Sequence, residues 1–311
     1  MTEADRHEAL SLLFEHLPPD EKSEQMVLAQ SLAHEGQLSW EGLLTARDES
    51  RLQGVCLTVT QADGSLGVWI PVIAPLARRT PSQEQAVAAA LLQEAGRRQE
   101  QHRLPFAQCL LDETPCTAEI WLRDAGFERM AELSFLHVDL THPLPALPEI
   151  AVETEPFTPG VNEARFAAMV ERSYRESLDC PKFTGLRTGA EALESHRTSG
   201  QFRPELWRLF RTDGNDAGVL LCADHPDLDA WELAYMGVSP EARGRRLGSL
   251  MVVYAMHAAH AAGCKRLQLA VDSANRYAKN VYESVGFKEQ SRRTVYLRRS
   301  GGNHQHVLHD S

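Results

Sequence analysis

The stretch W-E-L-A-Y-M-G-V-S-P-E-A-R-G-R-R-L-G-S-L-M-V-V-Y, Trp231 to Tyr254, decides how this chain is read. Apolar residues run as a strand to Pro240, where the pattern stops. A short loop follows, with Arg243, Arg245 and Arg246 set among Gly244, Leu247 and Gly248. It opens directly into an apolar segment with helical spacing. The start of a helix offers backbone N–H groups with no partner in the helix, and its dipole adds positive charge. Glycines let a ligand approach the backbone, and arginines add donors and charge. The layout suits a phosphorylated ligand. About twenty residues further on comes D-S-A-N-R-Y-A-K-N-V-Y-E-S-V-G-F, Asp272 to Phe287. On a helix, Asn275, Ala278 and Tyr282 share one face.

Together the two segments resemble the acyl-CoA-binding core of the GNAT N-acetyltransferase superfamily. The loop of that family reads Gln/Arg-x-x-Gly-x-Gly/Ala. Arg243 and Gly248 fit its ends, and Arg246 replaces its middle glycine. The second signature reads Asn-x-x-Ala-x-x-x-Tyr-x-x-x-Gly-Phe, and Asn275, Ala278, Tyr282, Gly286 and Phe287 all fit.

The resemblance implies acetyl-CoA as co-substrate and no metal. It places the pyrophosphate on the loop from Arg243 through Gly244, Arg245, Arg246 and Leu247 to Gly248. It lays the pantetheine arm along the backbone of Met236, Gly237 and Val238, with a backbone N–H as a small oxyanion hole. Asn275 then hydrogen-bonds the arm, Ala278 leaves room for it, and the phenol of Tyr282 protonates the leaving thiolate. Glu232 stands where many members keep a carboxylate base. Asp224, His225, Asp227 and Asp229, just upstream, are alternatives to it. The segment Arg175–Thr188 is expected to wall the acceptor site, with Asp179 and Tyr235 as substrate contacts. Cys180 lies there without a base at a readable spacing, so it reads as a packing residue.

The expected function is acetyl transfer from acetyl-CoA to a primary amine of a small molecule, by direct attack. The alternative is an acyl-CoA-binding regulatory or scaffold protein that performs no transfer, which Arg246 in the glycine position favours.

Composition sets the frame. The chain has 311 residues, 43% of them hydrophobic and 24% charged, which suits a soluble protein of about two domains. A net charge of −11 argues against a general nucleic-acid role and fits a cationic amine. Six cysteines without a C-x-x-C pair read as reduced thiols of a cytoplasmic protein. The polar N-terminus is no secretory signal, and no apolar run approaches the roughly 20 residues of a membrane span. A monomer or homodimer is expected.

The prolines of T-H-P-L-P-A-L-P-E-I mark a stiff connector over residues 142–149. The expected domains are 1–141 and 150–300, with residues 301–311 as a disordered tail whose His304, His306 and His309 carry no assigned role. The halves read as divergent copies. At an offset of 287 − 127 = 160, Gln108, Asp112, Ala118, Gly126 and Phe127 match Gln268, Asp272, Ala278, Gly286 and Phe287. At 243 − 78 = 165, Pro75, Ala77 and Arg78 match Pro240, Ala242 and Arg243. In the first copy Leu122 replaces Tyr282 and Pro115 replaces Asn275, which predicts a non-catalytic domain. Such tandem chains with one degenerate half resemble the mycothiol synthase group, most closely at E-L-A-Y-M-G-V-S-P, Glu232 to Pro240. That resemblance implies the cysteine amine of a pseudo-disaccharide thiol as acceptor.

Periodicity predicts helices near Arg6–His16, Ser23–His34, Gln83–Glu100, Asn162–Ser177, Gly248–Ala262 and Asn275–Ser284. Strands are predicted near Leu52–Val59, Gly67–Ile73, Ile150–Phe157, Glu205–Arg211, Ala217–Ala223, Trp231–Val238, Arg266–Val271 and Arg293–Arg298. The fold class is therefore α/β (α+β): two tandem GNAT-like domains, each a mixed central sheet flanked by helices.

Overall fold

The computed structural model describes residues 1–61, 64–75, 79–112, 116–180 and 188–301. The strands are β1 (Leu43–Asp48), β2 (Arg51–Thr60), β3 (Leu66–Val68), β4 (Val72–Ile73), β5 (Phe106–Asp112), β6 (Glu128–Asp139), β7 (Glu153–Pro156), β8 (Trp207–Thr212), β9 (Asn215–His225), β10 (Ala230–Val238), β11 (Arg266–Asp272) and β12 (Lys288–Arg299). The helices are α1 (Glu3–Leu13), α2 (Pro19–His34), α3 (Pro81–Gln101), α4 (Cys116–Asp124), α5 (Glu163–Tyr174), α6 (Gly189–His196), α7 (Leu247–Ala261) and α8 (Arg276–Ser284). The α/β class and the mixed sheets are as the periodicity predicts.

β1 and α6 are among the elements that the periodicity does not predict. β1, L-L-T-A-R-D, lacks a clean alternation and is held by antiparallel pairing with β2. α6 is short, and its signal is a capping box: the Thr188 hydroxyl accepts from the Glu191 amide, and the Glu191 carboxylate accepts from the Thr188 amide.

The chain forms two compact units. One is Met1–Arg129 with the residues from Val295 onward, and the other is Met130–Thr294. The boundary expected at the proline connector is displaced, because strands join whichever sheet supplies a ladder. β6 closes the first half of the sequence, yet it pairs antiparallel with β11 in the second unit, from Arg266↔Asp139 to Asp272↔Leu133. The end of β12 belongs to the first unit. There the Tyr296 hydroxyl donates to Glu119 at 2.6 Å, and the Arg298 guanidinium donates to Gln99 at 2.7 Å and Glu100 at 2.6 Å.

In the first unit the strand order is β1-β2-β3-β5-β12, with β4 beside β2. One core joins Leu10, Leu13, Leu43 and Val55, and a second joins Leu92, Ala95, Leu122 and Phe127. In the second unit the order is β12-β6-β11-β10-β9-β8-β7. Phe166, Met169 and Val170 of α5, with Leu250, Met251 and Ala255 of α7, share a core with Trp207, Phe210 and Leu221 of the sheet. The spacing of the α5 residues is the apolar stripe of a half-buried helix. α7 ends as its sequence directs: Gly263 takes φ +88°, and the Cys264 amide returns to the Ala259 carbonyl at 3.0 Å.

A fragment of residues 130–294 should therefore melt cooperatively by far-UV circular dichroism, because it retains β6. A fragment of residues 150–294 exposes one edge of β11 and should show no cooperative transition. Equal cooperativity of the two would contradict the assignment of β6 to the second unit.

Candidate functional site

The site is built on β10. Its antiparallel ladder with β9 runs from Ala230↔His225 to Val238↔Gly218, and the register shifts between Leu233 and Tyr235. Ala234 is the extra residue of this bulge, a device that re-aims side chains and ends pairing. On the other edge β10 pairs with β11 only over Ala230, Trp231 and Glu232. Beyond Glu232 the two parallel strands part, and from Leu233 to Val238 that edge of β10 has no strand partner among the described residues. Such an edge accepts an extended amide-bearing ligand as an added strand.

The loop after β10 turns on Arg243. Its guanidinium donates to the carbonyls of Arg175 at 2.7 Å, Ser173 at 2.9 Å, Glu176 at 3.2 Å and Val238 at 3.3 Å. Arg243 is thus a pin between the end of α5 and the end of β10, not the free phosphate donor expected from the loop pattern. Its charge also suits the negative end of a helix. Arg245 and Arg246 are exposed. Arg246 is the N-cap residue of α7, in the left-handed conformation at φ 61°, ψ 13°, and its side chain makes no cap. This explains the family glycine at that position: the turn needs positive φ, which a non-glycine residue adopts at a cost of roughly 1–2 kcal/mol. Among the described residues, the amides from Gly244 to Ser249 meet no backbone acceptor. Leu247, 2% exposed, anchors the helix start in the core.

The two other glycines of the site differ. A Cβ on Gly248 would meet only the Met236 Cε, at 4.0 Å, so no protein atom demands glycine there. A Cβ on Gly237 would lie 2.2 Å from Ser173 Oγ. Gly237 therefore serves the close packing of α5 on β10 rather than a ligand.

Tyr282 of α8 is 5% exposed and packs on Phe287, with ring centroids 5.7 Å apart. Among the described residues its hydroxyl has no hydrogen-bond partner. Burial, then the charge of Asp179, raises its pKa above the usual tyrosine value. Asn275 caps α8, its Oδ1 accepting from the Ala278 amide at 3.2 Å. Its oxygen is thus engaged within the protein, while among the described residues its side-chain N–H group has no partner. Ala278 is half-buried against the core.

Asp179 is exposed as a residue, yet its carboxyl is packed among protein atoms. Oδ1 accepts from the Asp272 amide at 3.1 Å, and the Asp272 carboxylate accepts from the amides of Cys180 at 3.1 Å and Ala274 at 2.9 Å. Loss of water, then the neighbouring Asp272, raises the Asp179 pKa, and its hydrogen bonds oppose the rise. Asp179 is a clasp between the segment after α5 and the end of β11. Residues 181–187 of the expected acceptor wall lie outside the described residues. Cys180 has its thiol pushed above the usual range, first by burial, which agrees with a packing role.

Tyr235 is anchored as well. Its hydroxyl lies 2.7 Å from Ser173 Oγ, and its ring packs on Tyr174 and His196, with centroids 5.7 and 5.3 Å away. Glu232 and His225 form a pair, with Oε2 and Nε2 2.8 Å apart. The other upstream acids are bound elsewhere: Asp224 to Arg203 at 3.1 Å and Asp229 to Lys265 at 2.5 Å. Sequence reading takes His225 and Glu232 as rivals. The register shows them as diagonal neighbours, since Glu232 faces Ala223, two residues from His225. Ser173 and His196 carry no motif and emerge only from packing.

In the first unit the matching helix start is closed. The Thr80 hydroxyl accepts from the Gln83 amide at 3.3 Å, and Gln83 Oε1 accepts from the Thr80 amide at 2.9 Å. The Arg79 guanidinium donates to the carbonyls of Gln53 and Ala74, each at 3.0 Å, a pin of the same kind as Arg243. Leu122, the counterpart of Tyr282, is fully buried. Arg78, Ala77 and Pro115 lie outside the described residues, as do the three tail histidines. Among the described residues no helix is long and apolar enough to cross a membrane.

Comparison with known proteins agrees with this architecture. Residues 173–287 match the acetyltransferase (GNAT) family. A mycothiol acetyltransferase of Thermomonospora curvata is 26% identical over 240 residues, covering 72% of this chain and 78% of the relative. Another, of Beutenbergia cavernae, is 36% identical over 105 residues, covering 32% and 35%. A GCN5-related N-acetyltransferase from Sphaerobacter thermophilus shares the fold with a TM-score of 0.57 at 18% identity, covering 81% of this chain and 78% of that one. A tandem GNAT protein from the clavulanic acid biosynthesis pathway does so with a TM-score of 0.50 at 15% identity, covering 86% of each.

Replacing Arg246 by glycine should remove the left-handed strain and stabilise the protein by about 1 kcal/mol, read from the denaturant midpoint. An unchanged or lowered midpoint would show that the arginine side chain stabilises the turn.

Proposed function

We propose that this acetyl-transferring enzyme, whose residues 173–287 form a GNAT-family domain, moves an acetyl group from acetyl-CoA to a primary amine of a small molecule by direct attack. The observation that carries the reading is the parting of β10 from β11 beside an uncapped α7 start. An extended amide chain fits the first feature and a pyrophosphate fits the second. In this reading the amides of residues 244–249 and the exposed Arg245 and Arg246 hold the phosphates. The backbone of Met236 and Val238 holds the arm, and Ala278 leaves it space. A bound acetyl-CoA supplies the activated thioester.

Glu232 takes the proton of the attacking amine. Tyr282 returns a proton to the departing thiolate, and its raised pKa suits that role, because the phenol keeps its proton to higher pH than an ordinary tyrosine. Asp179 acts through Tyr282 rather than as an ammonium ligand. The first unit, with its helix start capped and Leu122 at the tyrosine position, is non-catalytic. The relatives named mycothiol acetyltransferase make the cysteine amine of a pseudo-disaccharide thiol the first acceptor to assay, beside simple primary amines.

Tyr282→Phe should lower kcat by about 10²-fold and leave the acetyl-CoA Kd within about twofold. Wild-type turnover by that variant across the pH range would remove Tyr282 from the acid role. Calorimetric binding of acetyl-CoA without turnover on any amine of the panel would remove amine acetylation itself.

A further inference from the structure

Glu232 is held by one oxygen only. Oε2 lies 2.8 Å from His225 Nε2, and among the described residues Oε1 has no partner. Both side chains keep access to solvent, 28% for Glu232 and 22% for His225. The imidazole is itself seated. A Cβ on Gly200 would lie 2.9 Å from His225 Cε1 and 3.0 Å from Nε2, so only glycine leaves the ring its place. Two bonds between Gln201 and Asp224, at 2.8 and 3.2 Å, hold that loop against the end of β9.

We propose that His225 is a positioning residue for the transfer reaction. It donates to Glu232 Oε2, fixes the carboxylate beside the β10 bulge and leaves Oε1 to receive the amine proton. The inference rests on the reading of Glu232 as base. In the step itself, the amine nitrogen forms its bond to the acetyl carbonyl carbon, the carbon–sulfur bond breaks, and the thiolate leaves. The ammonium proton passes to Oε1, while His225 keeps its own proton on Nε2.

The other charged groups near this pair are already engaged. On the same hairpin Asp224 is bound by Arg203, Asp229 by Lys265, and Asp227 stands in the turn. Burial, then Glu232, pushes the Cys222 thiol up to about 12, and Cys264 is raised as well, first by burial. Arg266, at the start of β11, donates to the Leu228 carbonyl at 3.3 Å. Loss of the His225 donor should thus fall on Glu232.

The test compares His225→Ala, His225→Gln, Gly200→Ala and Glu232→Gln in the full chain, with kcat, acceptor KM and the pH profile of kcat/KM. His225→Ala should lower kcat about tenfold with acceptor KM within about twofold. His225→Gln retains an N–H donor and should recover most of the rate. Gly200→Ala should lower kcat in the same way with the imidazole present but displaced, and it serves if His225→Ala does not fold. If Glu232→Gln is impaired while His225→Ala and Gly200→Ala keep the wild-type kcat, His225 does not position the base. Equal loss in the Ala and Gln variants of His225 also overturns the hydrogen-bond role. Full activity of Glu232→Gln overturns the base itself, and the role of His225 with it.

Discussion

The Arg243 guanidinium is the contact on which the second unit's site depends. Three of its acceptors, the carbonyls of Ser173, Arg175 and Glu176, lie at the end of α5, and the fourth ends β10. Carbonyls at a helix end lack intrahelical donors and carry the negative end of the dipole, so one cation answers several at once. Charge-assisted bonds of this kind are roughly twice as strong as neutral ones. The pin sets α5 on β10 so closely that Gly237 has no room for a Cβ and the Ser173 hydroxyl reaches Tyr235. It also fixes where the loop leaves the strand. From that point two positive-φ residues, Gly244 and Arg246, carry the chain to the start of α7.

Much of this was legible in the sequence, and the reasons for the rest are physical. The strand, loop and helix from Trp231 to Tyr254 are local patterns and lie close to where they were expected. The role of Arg243 was not legible, because a side chain's acceptors depend on tertiary approach: Ser173 is 70 residues away. The repeat gave one hint, since an arginine persists in the first half, where the rest of the phosphate pattern is lost. Arg246 was legible as an anomaly, but its meaning needed a dihedral angle. The membership of β6 was hidden because strand pairing follows hydrogen-bond supply rather than chain order. The connector rich in proline marks a change in composition, and the compact units divide inside strands instead.

The carboxylates of the second unit show why Glu232 stands apart. Asp272 accepts from two backbone amides, and Asp179 accepts from the Asp272 amide. Asp224 and Asp229 each face a cation. A carboxylate whose oxygens already hold amides or a fixed cation is committed to structure, so these four suit structure better than base catalysis. Glu232 differs in kind. Its partner is the imidazole of His225, its second oxygen is unengaged among the described residues, and it is the last residue of β10 paired with β11, two residues before Ala234 of the bulge. A base needs an open lone pair where the substrate can reach it, and Glu232 keeps one at the point where β10 parts from β11.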